Sequence, residues 1–243
     1  MSFGWRGLEV FAALVAAAAL VGCASPGPEP IEFETGPRAE VTAEGLHRVK
    51  NPRYRDAWAR PDVDFAGYDR IQLLPVEIRH KGNPTARVSD RSVENDFALG
   101  KSQKQELAGL FLEVFTSELE ASPYLQLVAE AGPRVLRVEA SIIDLVVQVP
   151  TEVRGNERTF TRSTAEMTLL LELYDASSGE ILARLSDRRE ALGAGHGASG
   201  NAGDLYYSNP ATNTAAMRRS FRRWAQILRQ RLDELHELEA LGS

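Results

Sequence analysis

Two periods of apolar residues run through this chain. Between Thr164 and Leu173 the alternation is the cleanest in the chain: Ala165, Met167, Leu169, Leu171 and Leu173 point one way, and Thr164, Glu166, Thr168 and Glu172 the other. Side chains alternate across a strand, so this segment predicts a strand with one buried and one solvated face. Ser177-Ser178-Gly179 then turns the chain into a partner strand carrying Ile181, Ala183 and Leu185. Upstream, Leu136, Val138, Ala140 and Ile142 share one phase, and Ile143, Leu145 and Val147 the other. A bulge near Ile142 accounts for that slip, because one extra residue moves the following side chains to the opposite face. Leu125, Leu127 and Ala129 predict a short strand before it. An earlier strand is expected over Tyr68–Arg79, with Pro75 at its own change of phase and hence at an edge or a bulge.

The second period is helical. Leu107, Leu110, Phe111, Val114 and Leu119 recur at spacings of three and four, behind a capping box of Ser102 and Gln105. A longer stripe of Met217, Phe221, Trp224, Leu228, Leu232 and Leu235 predicts a terminal helix from about Thr212 to Leu238. About five one-faced strands and two amphipathic helices bury one another when both helices pack on one face of a mostly antiparallel sheet. The fold class expected is therefore α+β.

The ends and connections read differently. Residues 24–40 are rich in proline, glycine and glutamate and predict a flexible stalk, since so few apolar groups cannot offset the entropy of ordering. Gly45 to Asp64, with Tyr54 and Trp58, is expected to lie over the domain surface as a lead-in. The polar stretch 80–101 is long for a connection inside a compact domain. The composition, 43% hydrophobic and 26% charged, is enough for a real core, and the formal charge of −6 gives no reason to expect nucleic-acid binding.

The N-terminus has the three parts of an export signal: Arg6, an apolar run from Val10 to Val21, and the small Gly22. Those twelve residues rise about 18 Å as a helix against roughly 30 Å of bilayer hydrocarbon, so a cleaved signal fits better than a span. Leu20-Val21-Gly22-Cys23 resembles the lipobox of bacterial lipoproteins. That resemblance implies a diacylglyceryl group on Cys23, with acyl chains such as palmitate, and a mature chain beginning there. Cys23 is also the single cysteine, which excludes an intrachain disulfide. The organisation expected is a signal peptide over 1–22, a lipidated cysteine and stalk over 23–44, and one domain over 45–243. Ala24 and Ser25 lack the aspartate that retains lipoproteins in the inner membrane in the best-known sorting systems; that resemblance implies an outer-membrane protein facing the periplasm, with the inner membrane as the alternative.

Several segments resemble the DUF3313 family, bacterial lipoproteins of unknown function. They are Asp64-Phe65 through Tyr68-Asp69, Leu74-Pro75-Val76, Gly132-Pro133 with Val135-Leu136-Arg137-Val138, Ser163 through Leu173 with Asp175, Ser186-Asp187-Arg188-Arg189, and Phe221-Arg222-Arg223-Trp224. The resemblance implies a lipoprotein α+β domain and brings no catalytic residues with it.

Motifs that carry chemistry are few. Gly195-His196-Gly197-Ala198-Ser199-Gly200 is a formal GxGxxG, but it follows the last expected strand and is separated from the helix by about ten residues. It reads as a loop. His47, His80, His196 and His236 show no metal-ligand spacing, and no serine lies in a GxSxG elbow. Asp144, Glu166 and Asp175 read as solvated or turn carboxylates. Arg218, Arg219, Arg222 and Arg223 form a basic cluster that is either a partner surface or the wet side of an amphipathic helix. No cofactor, metal or catalytic residue is expected. The expectation is a non-enzymatic envelope accessory or scaffold, anchored through Cys23 and binding another envelope protein. The alternatives are a lipid-tethered hydrolase and a carrier of a lipid or other apolar ligand.

Overall fold

The computed structural model describes residues 28–37, 39–80, 99–147, 159–161, 163–192 and 206–242. The alternating segments form its long strands: β6 (Val135–Val147), β8 (Ser163–Asp175) and β9 (Ile181–Leu192). β8 pairs antiparallel with both others, Leu171 lying opposite Ala140 on one side and Leu185 on the other. Two short strands, β1 (His47–Arg48) and β2 (Asp56–Ala59), extend the sheet beyond β9. Beyond β6 lie β3 (Arg70–Leu73), β4 (Glu77–His80) and β5 (Gln126–Leu127). β3 and β4 run parallel to β6, and β5 runs parallel to β3. Among the described residues the sheet has eight strands, in the order β1-β2-β9-β8-β6-β3-β5 with β4 also on β6, more than the five or so expected. A separate ribbon joins β7 (Thr159–Thr161) to β10 (Tyr206–Ser208).

The helices are α1 (Lys101–Leu119) and α2 (Pro210–Gly242). Their apolar stripes meet each other and the sheet in one core. Phe111 stacks on Phe115 at 4.0 Å between ring centroids and meets Phe221 edge-on at 5.3 Å. Phe115, absent from the expected helical face, is fully buried with Phe111, Phe221 and Trp224. The polar phase of the sheet carries cross-strand pairs instead. Glu172 lies opposite Arg184 and binds it at 2.8 Å, and the Arg137 guanidinium sits 4.8 Å from the ring centre of its opposite neighbour Tyr174. Facing pairs of this kind are the unit of sheet stabilisation.

Local differences from the sequence reading have identifiable causes. The β6 bulge falls between Ile143 and Val146, slightly beyond Ile142, where Asp144 adopts φ 51°. Leu145 and Val147 then resume the buried face. Tyr68–Arg79 is not one strand: Pro75 interrupts it, leaving β3 and β4 in line along β6. The cap of α1 is Gly100, whose N–H donates to the Gln103 side chain at 2.8 Å, while Ser102 bonds Glu106 instead. Residues 45–64 do not merely lie on the surface, because β1 and β2 are part of the sheet.

The described part of the expected stalk is also docked. Phe33 bridges Val49 and Val41 bridges His47. The Glu34 N–H donates to the Arg48 carbonyl at 2.9 Å, and the Lys50 N–H to the Glu32 carbonyl at 2.8 Å. Composition alone missed this, since backbone hydrogen bonds and ion pairs to Arg48 and Lys50 make much of the attachment.

Candidate functional site

Small side chains on the β2 edge leave space in the core. In Asp56-Ala57-Trp58-Ala59 the inward positions are both alanine, and Trp58 faces outward against Arg48. Ala59 pairs with Ala183, Ala183 with Leu173, and Ala57 with Leu185, which makes a low floor across three strands. Ile227, Leu228, Leu232 and Leu235 of α2 form the opposite wall. Between them opens a cleft of about 450 Å³, rimmed at its outer side by Glu29–Glu32 and by residues 49–54. Its lining is mostly aliphatic, and Tyr54 and Phe65 add aromatic surface.

The polar groups at the mouth are engaged with one another. Lys50 binds Glu32 at 2.9 Å, which holds the Glu32 carboxyl below its ordinary range and raises the lysine. Arg53 and Arg231 both reach Glu234, at 2.8 and 3.2 Å. Arg231 also donates to the Glu29 carbonyl at 2.7 Å, pinning the N-terminal strap to α2. At the inner end the buried Tyr54 hydroxyl donates to the Trp224 carbonyl at 2.8 Å. Burial pushes that phenol's pKa upward, and the nearby Asp187 carboxylate adds to the shift.

None of the candidate site residues that the structure describes lines this cleft. Cys23, the glycine-rich loop with His196, and residues 81–98 of the long polar stretch fall outside the described residues. His47 meets Phe33 edge-on, and the His236 ring stacks on Tyr124 at 5.1 Å with Nδ1 placed 2.8 Å from the Leu232 carbonyl. Among the described residues no group of three or more histidine, cysteine, aspartate or glutamate side chains is placed to hold a metal. Glu166 pairs with Arg188 at 2.6 Å. Asp175 accepts from the Ser177 and Ser178 N–H groups and from the Tyr68 hydroxyl. Asp144 sits at the bulge, so the three carboxylates take separate structural roles.

The arginine cluster divides in the same way. Arg218 pairs with Glu113, Arg222 lies 3.4 Å from Glu118, and both acids belong to α1. Arg219 donates to the Leu192 carbonyl at 2.7 Å. Arg223 is exposed and has no ion pair among the described residues. Sequence reasoning missed the cleft. Its one local signal was the phase of two alanines beside Tyr54, which is legible only once that segment is known to be a strand.

Comparison with known proteins agrees with the family resemblance. The model of the family "protein of unknown function (DUF3313)" matches residues 43–216. Among solved structures, a Xanthomonas campestris protein of the DUF330 family model is similar at 8% identity and a TM-score of 0.40, covering 79% of this chain and 96% of that one. The PelC dodecamer subunit of Paraburkholderia phytofirmans is similar at 7% identity and a TM-score of 0.31, covering 66% and 89%. A candidate lipoprotein of Caulobacter crescentus is similar at 14% identity and a TM-score of 0.30, covering 72% and 93%. Likenesses this loose carry no inference about ligand or partner. No curated protein matches the chain.

Proposed function

This chain belongs to the DUF3313 family, and from that premise we propose that it is a lipid-anchored, non-enzymatic protein of the bacterial cell envelope whose domain binds the acyl chain of an apolar envelope component. The cleft between α2 and the β2–β9–β8 floor carries the reading. Its volume of about 450 Å³ lies within the range of roughly 300–1,000 Å³ typical of small-molecule sites. Its aliphatic walls offer a favourable environment to methylene groups, each worth about 0.8 kcal/mol on leaving water. The polar groups at the mouth are paired with one another, which leaves shape and apolar area as the basis of selection.

The anchor supplies the context. Cys23 stands six residues before Glu29, a span of at most about 20 Å when extended. A lipid on Cys23 therefore holds the cleft near the headgroup layer, where acyl ligands are concentrated. Among the described residues no helix is long and apolar enough to cross a membrane, so a lipid is the means of attachment proposed. The outer membrane, facing the periplasm, is the location proposed, from the residues that follow Cys23.

The test is a titration of the mature chain carrying Cys23→Ser, exported behind an ordinary cleaved signal, with a fluorescent fatty-acyl probe. Saturable one-to-one binding that Ala59→Leu removes supports the proposal. Probe uptake that is unsaturable, or indifferent to Ala59→Leu, refutes it.

A second reading, docking to an envelope protein, has its own observation. Phe160 and Tyr207 on the β7–β10 ribbon are 55% and 44% exposed, with ring centroids 5.8 Å apart. Exposed aromatic residues are enriched at protein interfaces. In-cell crosslinking followed by mass spectrometry tests it: a discrete partner lost in a Phe160→Ser, Tyr207→Ser variant supports docking, and an unchanged profile contradicts it.

A further inference from the structure

We infer that the cleft's competing occupant is an acyl chain of the protein's own anchor on Cys23, so that insertion of the anchor into a bilayer is what frees the cleft for ligand. The inference rests on the acyl-binding reading above and on lipidation at Cys23, and adds a regulation of that same site.

Three observations converge on it. The first is position. The strap Glu29–Glu32 walls the cleft, and its backbone is fixed to α2 through Arg231 and to the domain through the Lys50 N–H. The chain leading back to Cys23 therefore starts at the cleft mouth, and the six-residue span of at most about 20 Å lets an acyl chain fold back inside. The second is charge. Around the mouth Lys50 is paired with Glu32, and Arg53 and Arg231 share Glu234, so each of the three cations already has a carboxylate partner. A fatty-acid carboxylate would have to break one of these pairs. An ester- or amide-linked chain on a cysteine carries no such charge and has nothing to displace. The third is capacity. At about 450 Å³ the cleft takes one acyl chain and not the two or three of a lipidated cysteine, so the other chains stay free to enter a membrane.

Tethering decides the competition. A ligand tethered within reach of its site acts at an effective concentration in the millimolar range, above any free envelope lipid in the aqueous periplasm. Away from the bilayer the anchor's own chain therefore holds the cleft. Once the remaining chains insert, the third leaves one apolar environment for another at little cost per methylene, and the cleft becomes available.

The experiment feeds cells a diazirine-bearing palmitate, purifies the full lipidated protein, and irradiates it either in dilute detergent or in phosphatidylcholine vesicles. Expected are adducts on Ala57, Ala183 and Leu228 in detergent, falling at least fivefold in vesicles and in the Ala59→Leu and Ala183→Leu variants. Adducts scattered over the surface, or unchanged by vesicles, overturn the inference. Absence of label from Cys23 overturns it through the anchor, whereas loss of saturable probe binding in Cys23→Ser overturns it through the cleft. Label on Cys23 and probe binding intact, with scattered adducts, removes this inference alone.

Discussion

The Tyr54 hydroxyl donates a 2.8 Å hydrogen bond to the backbone carbonyl of Trp224, joining the segment before β2 to the middle of α2 across 170 residues of sequence. The bond fixes the inner end of the cleft. Tyr54→Phe is expected to cost about 1 kcal/mol, the usual net worth of a buried hydrogen bond. The pH dependence has a definite sign. Burial raises the phenol's folded pKa above the unfolded value near 10, so the folded state keeps its proton longer. That contribution is fully present below about pH 10 and is lost as pH rises further. Urea unfolding on the alkaline side should show a falling limb that Tyr54→Phe flattens.

Asp187 is 7% exposed and accepts from the Trp224 indole N–H at 2.8 Å. The same oxygen lies 2.7 Å from Arg189 Nε, whose N–H is not aimed along a hydrogen bond, so this second contact is one of charge. Asp187→Ala leaves a buried indole donor without an acceptor and a partly exposed guanidinium without its counter-charge. A loss of about 2–3 kcal/mol is expected in denaturant unfolding. Asp187→Asn, which keeps an acceptor, should lose less than half as much.

Neighbours on α1 should differ sharply. Phe111 is fully buried between Phe115 and Phe221, while Leu112 is 37% exposed. Truncating a buried phenylalanine to alanine costs about 3–5 kcal/mol, so Phe111→Ala should lower the midpoint of unfolding strongly. Leu112→Ala should stay within about 0.5 kcal/mol of the parent. Equal effects would contradict the packing of α1 against α2.

Ala59→Leu separates binding from folding. Its side chain would grow into the cleft, not into a filled core, so stability should change by less than about 1.5 kcal/mol. Acyl-probe affinity should fall more than tenfold. A large stability loss with affinity retained would show that the cleft is closed in solution.

How much of this was legible in the sequence depended on the element. The alternation in β8 and the change of phase in β6 report burial directly, because one face of each strand is core and the other is wet. The second half of β9, Ser186–Leu192, was not foreseen. There a charged residue, Asp187, points inward, and it is tolerated only because Trp224 meets it from α2. Attachment of residues 28–37 and 39–40 was hidden too, since backbone hydrogen bonds to Arg48 and Lys50 leave no compositional trace. The cleft is harder still. It is space left by Ala57, Ala59 and Ala183 against a helix some 40 residues or more beyond them, and no local pattern encodes a void.

The most direct test is mass spectrometry of lipid extracted from the Cys23→Ser chain after purification from the periplasm of the cells that make it. Co-purification of close to one acyl lipid per chain, lost in the Ala59→Leu variant, is the result expected. No acyl lipid above background, or the same amount with and without Ala59→Leu, would contradict the central claim that this cleft is an acyl-binding site.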